Sequence, residues 1–319
     1  MLYTMQKLVS DVNGNRWERL DVVYRLKSPL HIGYMPFKGS VVSPTRYYVL
    51  GRNFWGAVTK RITEHLYKDP DSEMYKKIGR QIMDNFRFSY FYIYDEENVY
   101  TPEYTDDGLK FGYKNKISSY EFEHKFIGSR ILTAIDFSSG TAKNESLHEI
   151  EFINNKFKDG NGNLKDTKII GCIWIKKDAK IEGNYIKSND SDVNSGIFIG
   201  NFNIIEELIL GGESKYGFGH VLLESINKCN FQLKSEESEE NVKIEIEKSL
   251  PAHLKYDENI KFKGDVELLS GRGYFDPKKE SNSSIKPGYV VSQPEYYFSP
   301  GTVIDSFVGE INWDGTIGK

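Results

Sequence analysis

The chain has 319 residues, a formal net charge of −4 and a pI near 6.0, enough for one large or two ordinary domains with a proper core. An acidic balance excludes a polycation that coats nucleic acid indiscriminately, while leaving room for a local basic groove. The two cysteines, Cys172 and Cys229, form no C-x-x-C pair and have no histidine cluster nearby; neither a disulfide framework nor a structural zinc site is indicated, and both are expected as buried apolar residues. The first residues carry no signal-peptide pattern and no apolar run approaches about 18 residues, so a cytoplasmic chain with no membrane contact is expected.

Residues 18–26 alternate as a first strand. Pro29 and Gly33 then break the ladder, and a loop runs from residue 35 to 46. Phe54, Val58, Ile62 and Leu66 recur every four residues, one stripe of a helix, with Asn53 placed to cap it. Residues 74–83 read as a second helix and the aromatic run 86–94 as a strand; the polar stretch that follows, around Glu96 and Asp106, reads as a surface insertion. Residues 156–166 form a hydrophilic turn that is tightest at Asn161-Gly162. Residues 169–175 read as a buried strand and 178–196 as a polar excursion. The spacing of Ile204, Ile205, Leu208 and Ile209 predicts a short helix, and residues 221–226 the strand after it. The acidic run 235–240 reads as a solvated linker, and residues 241–319 as short strands and turns.

Between that expected helix and strand lies Leu210-Gly211-Gly212-Glu213-Ser214-Lys215-Tyr216-Gly217-Phe218-Gly219-His220. Its glycines permit positive φ and close approach of backbone. Consecutive exposed N–H groups in such a loop make a concave anion site, to which Lys215 and His220 add positive charge; the alternative is a tight turn with no ligand. It is not a Walker loop, since Phe218-Gly219 follows Gly217 where lysine and serine or threonine would stand. Nor is it a dinucleotide fingerprint, which opens a helix after a strand.

Charge supplies a second signal. From Val22 to Thr63 there is no Asp or Glu, against seven cations: Arg25, Lys27, Lys38, Arg46, Arg52, Lys60 and Arg61. Tyr34, Phe37, Tyr47, Tyr48 and Trp55 are interleaved with them. Cations track a phosphate backbone and exposed rings stack unpaired bases; the plainer reading puts Trp55 and some tyrosines in the core and the cations in solvent.

Four segments, in order, resemble the RAMP superfamily of CRISPR-associated proteins. Residues 28–33, Ser-Pro-Leu-His-Ile-Gly, are similar to the opening after the first strand. Residues 48–57, Tyr-Val-Leu-Gly-Arg-Asn-Phe-Trp-Gly-Ala, are similar to the family's helix start, with Leu50 in place of a proline. Residues 131–142, followed by Leu147 and Glu151, resemble the segment that forms a β-hairpin thumb across the guide RNA, and the glycine-rich loop resembles the superfamily signature. The resemblance implies an α+β fold: a ferredoxin-like, RRM-like βαββαβ core over residues 1–230, with insertions at about 67–125 and 143–200, and a β-rich C-terminal extension over 231–319.

It further implies a subunit of a type III-like CRISPR effector complex that binds guide RNA (crRNA). Among such subunits it is most like the cap subunit that holds the 5′ repeat-derived tag, with the repeating backbone subunit as the close alternative. The RNA-binding set would be Gly211, Gly212, Ser214, Lys215, Tyr216, Gly217, Phe218, Gly219 and His220, with Lys38, Arg46, Arg52, Lys60 and Arg61 along the groove. Implied partners are the guide RNA, other effector subunits and, indirectly, target RNA; no cofactor or metal is implied. Arg272, between two glycines, reads as a surface arginine, with a phosphate contact as the alternative. Target-cutting relatives carry an aspartate in the loop after the first strand, where this chain has no acid, so no cleavage is expected. A guide-processing endonuclease is the enzymatic alternative, with His31 as general base beside Tyr34 and Lys38.

Overall fold

The computed structural model describes residues 16–33, 40–191, 194–271 and 292–318. Alternation does form the first strand, β1 (Trp17–Leu26). β2 (Val42–Ser43) and β3 (Tyr48–Val49) follow, then helix α1 (Gly51–Leu66). Phe54, Val58 and Ile62 of α1 are fully buried, and the Phe54 ring lies 3.9 Å from Phe91 and 5.6 Å from Tyr24. The expected cap is not made: Leu50 is the N-cap residue and Asn53 lies inside the first turn. Helix α2 (Ser72–Asn85) is capped by Asp71, which accepts from the Glu73 and Met74 N–H groups. The aromatic run divides into β4 (Phe86–Phe88) and β5 (Phe91–Tyr94), because Ser89 leaves the ladder and its hydroxyl accepts the Cys172 N–H.

Helix α3 (Ser119–Phe126), opened by a Ser118–Glu121 capping box, leads into a hairpin of β6 (Ile127–Leu132) and β7 (His148–Ile153). β2 pairs with the outer edge of β7, giving the order β2-β7-β6. β8 (Lys168–Lys176) is buried on both faces, from Ile169 to Ile175, as suits the centre of a sheet. β9 (Glu207–Ile209) and β10 (His220–Ile226) complete a sheet ordered β9-β10-β1-β8-β5-β3, with β4 also on β8. The pairs on this path are antiparallel.

The helix expected at 204–209 is absent. Ile204, Ile205, Leu208 and Leu210 are buried while Ile209 is 52% exposed, and residues 207–209 pair with Leu222, Val221 and His220. Six residues are too few to separate a helical stripe from strand alternation, and here the pairing partner decided. The fold is α+β, with three α-helices and many strands among the described residues.

The acidic run expected as a linker contributes β11 (Ser235–Glu237), the edge of a second sheet. That sheet adds β12 (Val242–Ile246), β13 (Leu254–Lys255), β14 (Val266–Leu269), β15 (Glu295–Phe298), β16 (Phe307–Ile311) and β17 (Ile317–Gly318), in the order β11-β12-β16-β17-β13-β15-β14. It is clasped to the first part by buried polar groups. Arg46 meets Glu267 at 2.8 Å, His253 Nε2 lies 2.5 Å from Glu267 Oε1, and its Nδ1 lies 2.6 Å from the Tyr90 hydroxyl. Gly51 admits the C-terminal part as well: a Cβ there would lie 2.8 Å from the Asp314 carbonyl oxygen. No helix among the described residues is long and apolar enough to cross a membrane.

Candidate nucleic-acid interface

The glycine-rich loop closes the β9–β10 hairpin. Leu210 N–H donates to the Gly219 carbonyl, and Gly219 N–H to that of Pro29. Two glycines are required by contact: at Gly219 (φ +84) a Cβ would sit 2.0 Å from the Leu210 oxygen, and at Gly211 (φ +76) 2.2 Å from the His31 oxygen. The loop then rises into one turn of 3-10 helix, Ser214–Tyr216, entered through Glu213 at φ 56 and left through Gly217 at φ 83. Ser214, Lys215, Tyr216 and Gly217 are all exposed, Tyr216 by 59%.

The backbone donors divide into two sets. The N–H groups of Gly212, Tyr216, Gly217, Phe218 and Gly219 bond to His31, Glu213, Ser214, Glu213 and Pro29 oxygens, and that of His220 to the Ser28 hydroxyl. Those of Gly211, Glu213, Ser214 and Lys215 have no acceptor among the described residues. A concave anion site built from the whole loop therefore shrinks to its ascending side and crest.

The side chains divide too. Lys215 is exposed and makes no ion pair among the described residues. His220 Nε2 lies 2.5 Å from Glu207 Oε1 across the hairpin, so its ring faces a carboxylate of the chain itself. Phe218 turns inward, 3% exposed, with its ring 5.3 Å from Phe152 of β7 and 5.6 Å from the Arg130 guanidinium of β6. Arg130 is exposed and escaped the sequence reading because it lies outside the acid-free stretch.

Of the expected groove cations, Lys60 and Arg61 lie on α1 and face β9, the sheet edge from which the loop springs. They line a cavity of about 360 Å³ between α1 and β9, with His65, Phe202, Glu207 and Ile209. Lys60 is 60% exposed and 3.9 Å from Glu64; Arg61 donates to the Asn203 carbonyl and lies 3.8 Å from Glu206. Arg46 and Arg52 serve elsewhere. Arg46 is buried on Glu267, and Arg52 donates to the Ser270 carbonyl at 2.6 Å and lies 3.4 Å from Asp314. Both join the two sheets rather than line a groove with the loop. Lys38, Tyr34, Phe37 and Arg272 fall outside the described residues.

The interleaved rings are likewise packed. Tyr48 stacks 5.5 Å from Tyr90, Tyr47 lies 5.3 Å from Phe122, and Trp55 lies 4.8 Å from Trp313 while donating to the Gly79 carbonyl. His31 is 4% exposed, with Nδ1 held 2.7 Å from the Glu151 carbonyl and its own carbonyl taken by Gly212. Cys172 is buried, its thiol 3.0 Å from Asp21; burial pushes that thiol well up. Cys229 is half-buried.

No protein-family model matches the chain, and neither does any curated protein sequence. Among solved structures it is similar to a chain of the type III-B Cmr-beta complex bound to cognate target RNA, with 12% identity over 90% of this chain and 86% of that chain and a TM-score of 0.48. It is also similar to a chain of the Csm3–Csm4 subcomplex of the type III-A CRISPR-Cas interference complex, with 12% identity over 92% of this chain and 94% of that one and a TM-score of 0.38. A CRISPR protein from Archaeoglobus fulgidus is similar at 13% identity, with 92% of each chain covered and a TM-score of 0.35. These TM-scores are too low for the likeness to carry fold or function.

Proposed function

We propose that the chain is a non-catalytic RNA-binding subunit of a type III-like CRISPR effector complex, one that holds the 5′ tag of the guide RNA as a cap subunit does. The observation that carries this reading is the loop crest: an exposed lysine and tyrosine above backbone N–H groups that have no acceptor among the described residues, seated against a projecting hairpin. Fixed N–H donors and a mobile cation suit phosphate oxygens, and an exposed ring suits an unpaired base. The motifs that resemble the RAMP superfamily supply the class of partner. In the same reading the order β10-β1-β8-β5 is a ferredoxin-like core whose second helix has given way to β9. Guide RNA and neighbouring effector subunits are then its partners, and target RNA is met through the guide.

Replacing Lys215 and Lys60 together by alanine is expected to weaken binding of a single-stranded guide-type RNA. It should also flatten the plot of log affinity against log salt by about 1.4, two phosphate contacts at about 0.7 each for a single strand. Filter binding at several salt concentrations checks this, and an unchanged slope would remove both lysines from the interface.

The enzymatic alternative has less support. A general base must reach its proton, and His31 is buried with one ring nitrogen already engaged. Incubation of the purified chain with repeat RNA is expected to give no cleavage; metal-independent cutting that disappears in His31→Ala would replace the binding reading with a nuclease.

A further inference from the structure

We infer that Phe218 and Arg130 are positioning residues, which lock the β6–β7 hairpin to the loop crest so that the two move as one body. The consequence for RNA rests on the binding reading above; the coupling itself does not. The root of the hairpin is held by other means. Leu30 and Ile153 exchange backbone hydrogen bonds, and β2 pairs with Glu149 and Ile150 along the outer edge of β7. Among the described residues β6 has only β7 as a strand neighbour, so its far edge needs a different restraint.

Phe218 provides it. Arg130 is paired with Ile150, and Gly128 with Phe152. Arg130 and Phe152 therefore stand one pleat apart on the same face of the hairpin, and both meet the Phe218 ring. A cation over a ring face and a tilted pair of rings are both attractive arrangements. Beyond this contact the hairpin bonds within itself: Thr133 to Ser146, Asp136 to Ser138, and Lys143 N–H to the Ala134 carbonyl. Phe137 there is 99% exposed. The direction in which this arm points is thus set at its base, by the side chain that leads out of the crest.

Amide hydrogen exchange on the full chain without RNA tests the coupling. Phe218→Ala is expected to speed exchange across residues 129–150 by about tenfold while leaving β1 and β8 protected, a local rather than global opening. Arg130→Gln should do the same to a smaller extent, and Arg130→Lys, which keeps a cation over the ring, should restore protection. Phe218→Leu keeps the apolar volume and should fall between Phe218→Ala and the natural chain. Unchanged exchange over 129–150 in Phe218→Ala, or equal exchange in the glutamine and lysine variants, overturns the inference. With single-stranded RNA, Phe218→Ala should weaken binding about fivefold at an unchanged salt slope, since no phosphate contact is removed. A natural chain that binds no RNA would sink the functional reading and leave the exchange result to decide the coupling.

Discussion

Glu267→Gln is expected to destabilise the chain by about 3 kcal/mol, the lower end of what breaking one side of a buried ion pair costs. Arg46 has 7% of its side chain exposed and meets the Glu267 carboxylate at 2.8 Å, so an amide there takes the charge of that carboxylate away from a buried guanidinium. The protonation pattern is fixed by geometry. Burial alone would raise the Glu267 carboxyl, but hydrogen bonding from His253 and the charge of Arg46 outweigh it and hold the group at about 2. An ionised Glu267 only accepts, so His253 Nε2 carries the proton, and Nδ1 accepts from the Tyr90 hydroxyl. Burial keeps the His253 pKa below its ordinary value, against the opposing pull of Glu267.

The pH dependence follows from those two directions. The unfolded chain takes a proton on His253 below about 6.5 while the folded chain resists it, so stability falls as pH drops through that value. The contribution of Glu267 is complete above the unfolded value of about 4.3 and is lost as pH falls toward 2. Denaturant titrations across pH should show the natural chain losing stability in both windows, and Glu267→Gln losing it mainly in the first. Equal stability of the variant at neutral pH would show that the clasp between the sheets does not depend on this pair.

Gly219→Ala is the substitution expected to harm RNA binding most, by more than about tenfold. At φ +84 an alanine carries the cost of a left-handed residue, about 1–3 kcal/mol. Its Cβ would also lie 2.0 Å from the Leu210 oxygen, so backbone must shift. The shift breaks the bonds that close the loop, Leu210 to Gly219 and Gly219 to Pro29, each worth about 1 kcal/mol. Gly217→Ala is the control. Its φ of +83 carries a similar strain, but a Cβ there meets nothing within 4 Å, so the crest can keep its place and affinity should fall by less than about fivefold. Binding titrations of the two variants compare them directly, and equal losses would mean that strain, rather than the closure at Leu210, governs the crest.

The main chain was readable where a pattern ran long enough. Nine of the ten residues of β1 and the four-residue stripe of α1 announced themselves, whereas six apolar-rich residues at 204–209 did not distinguish helix from strand. The basic stretch misled for a reason of distance. Lacking any acid between Val22 and Thr63, it read as an open cationic wall, yet the carboxylates of Glu206, Glu267 and Asp314 come from far along the chain to meet Arg61, Arg46 and Arg52. Local charge counting has no access to such partners. The glycines were read as places where another chain comes close, but at Gly211 and Gly219 the approaching atoms belong to His31 and Leu210 of the same chain. Phe218 gave no sign that it would turn inward, because its neighbours Phe152 and Arg130 depend on the hairpin being docked.

The internal neutralisation of Arg46, Arg52 and Arg61 shapes what the molecule looks like from a distance. A body of net charge −4 on balance repels a polyanion, and cations already paired with carboxylates do little to offset that. In the binding reading proposed above, a crest lysine with no ion pair among the described residues acts less as an adhesive than as a compass: a strand drifting in from solution is turned toward one face before any contact forms. Added salt should scramble that heading as readily as it loosens the hold.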